Sequence, residues 1–233
     1  MGASICHVGA MSKERGEATR RALCLAAETL VAQHGLEPVT LRRIAEASGQ
    51  RNVSAVTYHF GTVRDLLRAI VLMRLQETEA ARRAWVADCP DPAAMDAFTA
   101  WLGVVRPVLL VPDEQVPHAH ARLLLHMRMA GLLSDPFDPA IDRGAIPMLD
   151  YLLGRIRAGM AHLPPEIARA RVGLCGLMYW NAIALHAESD LPRILADVEA
   201  SARLFLLSPA PAPGSGPWPD TGTRPVRTMP TQP

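Results

Sequence analysis

Asn52, Ser54 and Thr57 are short polar side chains that fall within six residues of one another, and Tyr58 and His59 follow them directly. On a helix, groups of that size can meet the edges of base pairs, while a phenol and an imidazole at the helix end reach phosphate oxygens. Arg51, just before them, can reach a guanine or a phosphate. Thr40 and Arg42 open an earlier short segment and offer the neighbouring backbone a hydroxyl, a free helix N-terminus and a charge. Val56 and Phe60 are spaced to point back into a core. The plainer alternative makes Tyr58 a core aromatic and Arg42 and Arg43 a solvated face. Polar tips at a helix end have little core role, which favours phosphate contact for Tyr58 and His59.

Other chemistries find less support. There is no Gly-x-Ser-x-Gly, phosphate-binding loop, His-Glu-x-x-His or dinucleotide fingerprint, so no enzymatic activity and no cofactor are expected. His118 and His120 are two apart and do not share a helix face. His118 and His126 are eight apart, too far to bind one ion easily, so no metal site is expected. Cys6, Cys24, Cys89 and Cys175 form no CxxC pair and fit free thiols in a reducing cytoplasm.

These residues need helices to hold them. Leu23, Ala26, Ala27, Leu30 and Val31 recur at helical spacing over about 15–34, with Gly35 as the stop. Thr40 caps a second helix that Gly49 closes, and a third runs over about 53–59. Thr62 and Asp65 form a capping-box-like start to a long fourth helix over 63 to about 87. Further helices are expected over about 92–110 with a kink at Pro107, then 115–132, 138–160, 165–187 and 191–207, with a turn at Ser134-Asp135-Pro136. No stretch alternates like a strand. The expected fold is all-α, about nine helices: a disordered arm over 1–12, a three-helix helix-turn-helix domain over 13–62, a helical effector-binding and dimerisation bundle over 63–207, and a disordered proline-rich tail over 208–233.

The pieces His34-Gly35, Thr40-x-x-x-Ile44-Ala45-x-x-Ser48-Gly49 and Tyr58-His59-Phe60-Gly61, in this order, resemble the TetR family of one-component repressors. The likeness covers about 50 residues, and beyond Leu67 it extends only to helix count and order. It implies a homodimer on palindromic double-stranded DNA, a small-molecule effector that releases it, and a four-helix dimer interface from the last two long helices. Two departures stand out. The stretch from Gly49 to Phe60 is one residue longer than the commonest family spacing, leaving open whether Arg51, Asn52 or Val53 starts the reading helix. Val63 stands where the family often has a phosphate-gripping lysine, with Arg64 one position later as its substitute.

In the remaining three quarters of the chain, Trp85, Phe98, Trp101 and Met127 are candidate walls of a largely apolar ligand pocket. Residues of this kind at helical spacing are core more often than pocket lining. Leu149, Leu153, Ile156, Gly173, Leu177 and Trp180, on the helices expected over 138–160 and 165–187, are the candidate dimer face. Val172 to Ala187 is 16 residues without Asp, Glu, Lys or Arg. That is shorter than the ~20 a membrane span needs, so no membrane is expected and burial between subunits is favoured. Formal net charge is only +1, and residues 13–51 carry seven basic against five acidic groups, so DNA affinity must come from placement. A cytoplasmic location follows from these expectations. An alternative has the bundle bind a protein partner in place of a small ligand.

Overall fold

The computed structural model describes residues 3–50, 52–112, 116–133 and 143–210. Arg51, the turn at Ser134-Asp135-Pro136, the start of the helix expected from 138 and most of the proline-rich tail lie outside the described residues. Ten α-helices, and no strand, occur among the described residues.

Helix α1 runs from Ala3 to His34 and ends at Gly35, whose φ of +76° is the left-handed conformation that glycine adopts without strain. The arm expected over 1–12 is therefore helical from Ala3 onward. No proline interrupts that stretch, and a helix already nucleated by packing over its second half propagates at little cost. Thr40 caps α2 (Leu41–Ala47) by accepting the Arg43 N–H at 3.3 Å, and α3 spans Ser54–Phe60. Thr62 caps α4 (Val63–Glu77), accepting Asp65 N–H at 3.1 Å and donating to the Asp65 carboxylate at 2.6 Å.

The helix expected to continue to 87 breaks at Thr78, and α5 covers Glu79–Ala87. The Thr78 hydroxyl donates back to the Arg74 carbonyl at 2.6 Å, a bond that bends helices. The Leu75 carbonyl, next along the broken ladder, accepts instead from the Arg82 guanidinium at 2.8 Å. One polar side chain thus makes the hinge and another caps it.

Asp96 caps α6 (Ala97–Val105), and Pro107 turns its continuation into a short 3-10 segment over 106–110. Helices α7 (Ala119–Met129), α8 (Pro147–Gly159), α9 (Pro165–Leu185) and α10 (Leu191–Leu207) complete the bundle. Two cores form. Leu23, Val31, Ile44, Val56, Phe60, Leu66 and Ile70 pack together in the N-terminal one, which also takes Leu123 and Met127 from α7. The second gathers Trp101, Leu152, Ile156, Cys175, Tyr179 and Leu206. Helices α4 and α7 therefore tie the small unit to the bundle, and packing is continuous across the boundary expected at residue 62. No helix of the described residues is long and apolar enough to cross a membrane.

Candidate nucleic-acid interface and effector cavity

Helix α3 turns two faces in opposite directions. Val56 is fully buried and Phe60 is 9% exposed, so both anchor the helix in the N-terminal core. Tyr58, between them, is 87% exposed, and Ser54 and Thr57 are exposed beside it. A phenol left in water by its own fold, on a helix whose other face is locked, is a group held ready for a partner. His59 is half-buried and meets the Tyr58 ring edge-on, with centroids 5.2 Å apart. Arg20 of α1 covers the Phe60 ring at 5.3 Å, bringing a cation to the same corner.

The open question of where the reading helix starts has a local answer. Asn52 Oδ1 accepts the Ser54 N–H at 2.9 Å, so Asn52 caps the first turn and Ser54 is the first helical residue. The side-chain oxygen of Asn52 is thereby committed to the backbone, leaving its amide NH2 to face outward. Thr40, Arg42 and Arg64 are all exposed, with Arg42 bound to Glu46 at 2.9 Å across one helical turn. Gly61, at φ +72°, makes the turn that swings α4 away and leaves the end of α3 open.

Inside the bundle, a cavity of about 140 Å³ opens between α4, α5, α6, α7, α8 and α9. Trp101, Leu149, Leu153, Ile156 and Trp180 are among its apolar walls, and Arg74, Thr78, Arg82, His120 and Arg128 bring polar groups to it. Of the four residues expected to line a pocket, only Trp101 does so. Trp85 packs over Gly103 and donates its indole N–H to the Thr99 carbonyl at 3.2 Å. Phe98 stacks on Trp101 with centroids 6.1 Å apart, behind the wall. Met127 belongs to the N-terminal core. Each is a large apolar residue at helical spacing, and spacing alone does not tell a cavity wall from a core.

The residues expected at the dimer face take several positions in the single chain. Leu149, Leu153 and Ile156 of α8 are buried within the single chain. Gly173 and Trp180 line the same cavity, and Leu177 is half-buried. Exposed apolar residues occur on α9 (Leu174, Met178 and Leu185, 67% exposed) and on α10 (Leu204, 75% exposed, Phe205 and Leu207), and also at Leu109, Leu110 and Met129. Positions 174, 178 and 185 fall on one helical face, as do 204 and 207. The apolar stripe of α8 packs on α6 within the chain.

One polar cluster joins cavity and reader, and sequence reasoning missed it. Glu28 of α1 is buried and accepts from Arg74 Nε of α4 at 3.1 Å, while His120 Nδ1 of α7 lies 2.8 Å from its other oxygen. Glu77 pairs with Arg74 at 2.8 Å and with Arg21. Burial pushes the Glu28 carboxyl up, but the His120 and Arg74 contacts outweigh it and hold it below its ordinary value. The sequence did carry a signal: Arg74, Thr78 and Arg82 continue, every four residues, the stripe begun by Leu66 and Ile70. Among the described residues, no group of His, Cys, Asp and Glu is arranged to hold a metal ion.

Comparisons with known proteins agree with the N-terminal geometry. Residues 23–70 match the family described as bacterial regulatory proteins, tetR family. Among curated proteins no sequence matches the chain significantly. Among solved structures, SCO7518 from Streptomyces coelicolor A3(2), a protein proposed to be a transcriptional regulator, is 21% identical with a TM-score of 0.39, over 78% of this chain and 98% of its own. The multidrug binding protein EbrR, solved with imidazole, is 25% identical with a TM-score of 0.42, over 83% of this chain and 91% of its own.

Proposed function

We propose that residues 23–70, which match the tetR-family model, are a DNA-binding domain and that the protein is a homodimeric transcriptional repressor, released from a palindromic operator by a small molecule in the bundle. The observation that carries the reading is the exposed face of α3, with Tyr58 87% exposed two residues before a buried Phe60. Ser54 and Thr57 meet base edges, and the amide of Asn52 joins them from the cap. Tyr58, His59, Thr40, Arg42 and Arg64 grip phosphate. The exposed stripes on α9 and α10 support a second copy, which sets two reading helices about 34–36 Å apart on one face of the duplex.

Release has a physical route. Arg74 and His120 line the cavity and also hold Glu28, which lies on the helix that scaffolds the reader. A ligand that draws on Arg74 or His120 weakens the tie between α1 and the bundle, and the two reading helices leave register. A cavity of about 140 Å³ suits a small molecule and not a partner helix. A gel-shift titration of the full chain against its own promoter region tests the reading. Retention of a palindromic fragment, weakening steeply with salt, is the expected result. No palindromic DNA retained at low salt would overturn it.

A further inference from the structure

The cavity has a charge character that its apolar walls conceal. Arg74, Arg82 and Arg128 line it, and no aspartate or glutamate does. Arg74 is satisfied by Glu28 and Glu77 behind the wall. Arg82 is not. It is 1% exposed, its Nη1 serves the Leu75 carbonyl, and the nearest carboxylate, Glu79, stands 3.7 Å off. Its Nε is buried without any acceptor. Burial, only partly countered by Glu79, pushes this guanidinium down to about 10. The indole Nε1 of Trp180, another wall residue, is likewise buried with no acceptor.

Arg128 completes the set from α7. Its guanidinium lies flat over Gly173 of α9, with Nη2 only 2.5 Å from where a Cβ on that residue would stand. Among the described residues it has no ion pair. Glycine at 173 is what lets this charge lie over α9 at the cavity edge. Unpaired buried donors are costly and rare, and those that persist mark places where a missing acceptor belongs.

We propose that the effector is a small amphipathic anion, a carboxylate on a compact apolar body, whose head group is bound by Arg82 and Arg128 and whose body fills the space among Trp101, Leu153 and Ile156. A cavity of about 140 Å³ is close to the ~150 Å³ that holds a benzene ring, so the body is about the size of one aromatic ring. A cation of the same shape meets the guanidinium groups of Arg82 and Arg128 and is excluded. A neutral analogue gains the apolar contact and leaves Arg82 unpaired.

This inference rests on the ligand-binding reading above, and its test separates the two. The full chain is titrated calorimetrically with 3-phenylpropionate, 3-phenylpropanol and 3-phenylpropylamine, which differ only in head group. The acid is expected to bind at least about tenfold more tightly than the alcohol, a difference of ~1.4 kcal/mol, with no binding of the amine. Arg82→Met and Arg128→Met should each erase the preference for the acid over the alcohol. Thermal melts report whether the variants fold, and Arg128, being half-buried, is the safer of the two. Alcohol or amine binding as tightly as the acid, binding of none of the three, or an acid preference that survives Arg128→Met overturns the inference. Operator affinity is measured in parallel by fluorescence anisotropy. An acid that binds selectively without changing it upholds the anion site and removes the release mechanism.

Discussion

Tyr58 and Asn52 lie six residues apart on the same exposed edge, yet they should fail in different ways when changed. Tyr58 is locked in position by its neighbours, so Tyr58→Phe leaves the fold intact and removes one hydroxyl. A phosphate contact carries no base information, so binding to operator and to unrelated DNA should weaken by a similar factor in salt-matched anisotropy titrations. A loss confined to the operator would make Tyr58 a base reader instead. Asn52 serves two masters, since its oxygen caps α3 at Ser54 and only its amide faces outward. Asn52→Ala should therefore cost about 1 kcal/mol of stability in urea melts, as lost caps do, besides altering sequence preference. Asn52→Asp keeps the cap and removes the outward amide. It should restore the stability and not the preference, which separates the two roles.

At the scale of elements, the reader was legible because its signals are local. A glycine at 35, 49 or 61 and a capping threonine at 40 or 62 act within one turn of themselves, and all five do in the structure what their types demand. The cavity was not, because its walls come from six helices and no spacing within one helix records which side faces a void. The break at Thr78 shows the same limit, since it depends on a hydroxyl choosing its own helix and on Arg82 arriving to cap Leu75. The buried tie between α1, α4 and α7 yields a prediction at this scale. Glu28 has its carboxyl held below the ordinary 4.5, so its contribution to stability is fully present above that pH and is lost as pH falls through the lower folded value. Glu28→Gln should lose about 3–5 kcal/mol at pH 7, because it leaves Arg74 buried with one partner removed. Its stability should also fall less steeply than that of the wild type below pH 4.5. Urea melts across that range check both, and parallel curves would show that Glu28 is not the group being titrated.

The whole molecule has to reconcile a weakly basic reader with useful affinity for DNA. Residues 13–51 hold an excess of only two positive charges, and one of the exposed candidates, Arg42, already faces a carboxylate at 2.9 Å. One copy can neutralise few phosphates, and each neutralised phosphate adds about 0.9 to the salt slope. Joining two copies adds the slopes and converts the second docking into an intramolecular event, gaining affinity with no new contact. On the proposed dimer reading the exposed stripes of α9 and α10 are the surface for this, and Leu204 is its most exposed member. Leu204→Glu removes no core contact, so the chain should keep its melting temperature while two like charges meet at the two-fold axis. Sedimentation should then report a monomer, operator affinity should drop by roughly two orders of magnitude or more, and the remaining salt slope should be about half that of the wild type. A monomer that kept the full slope would mean that one reader alone makes all the phosphate contacts, and the dimer would lose its reason. A dimer that survived Leu204→Glu would move the interface off these two helices and onto a face that the exposed leucines do not mark.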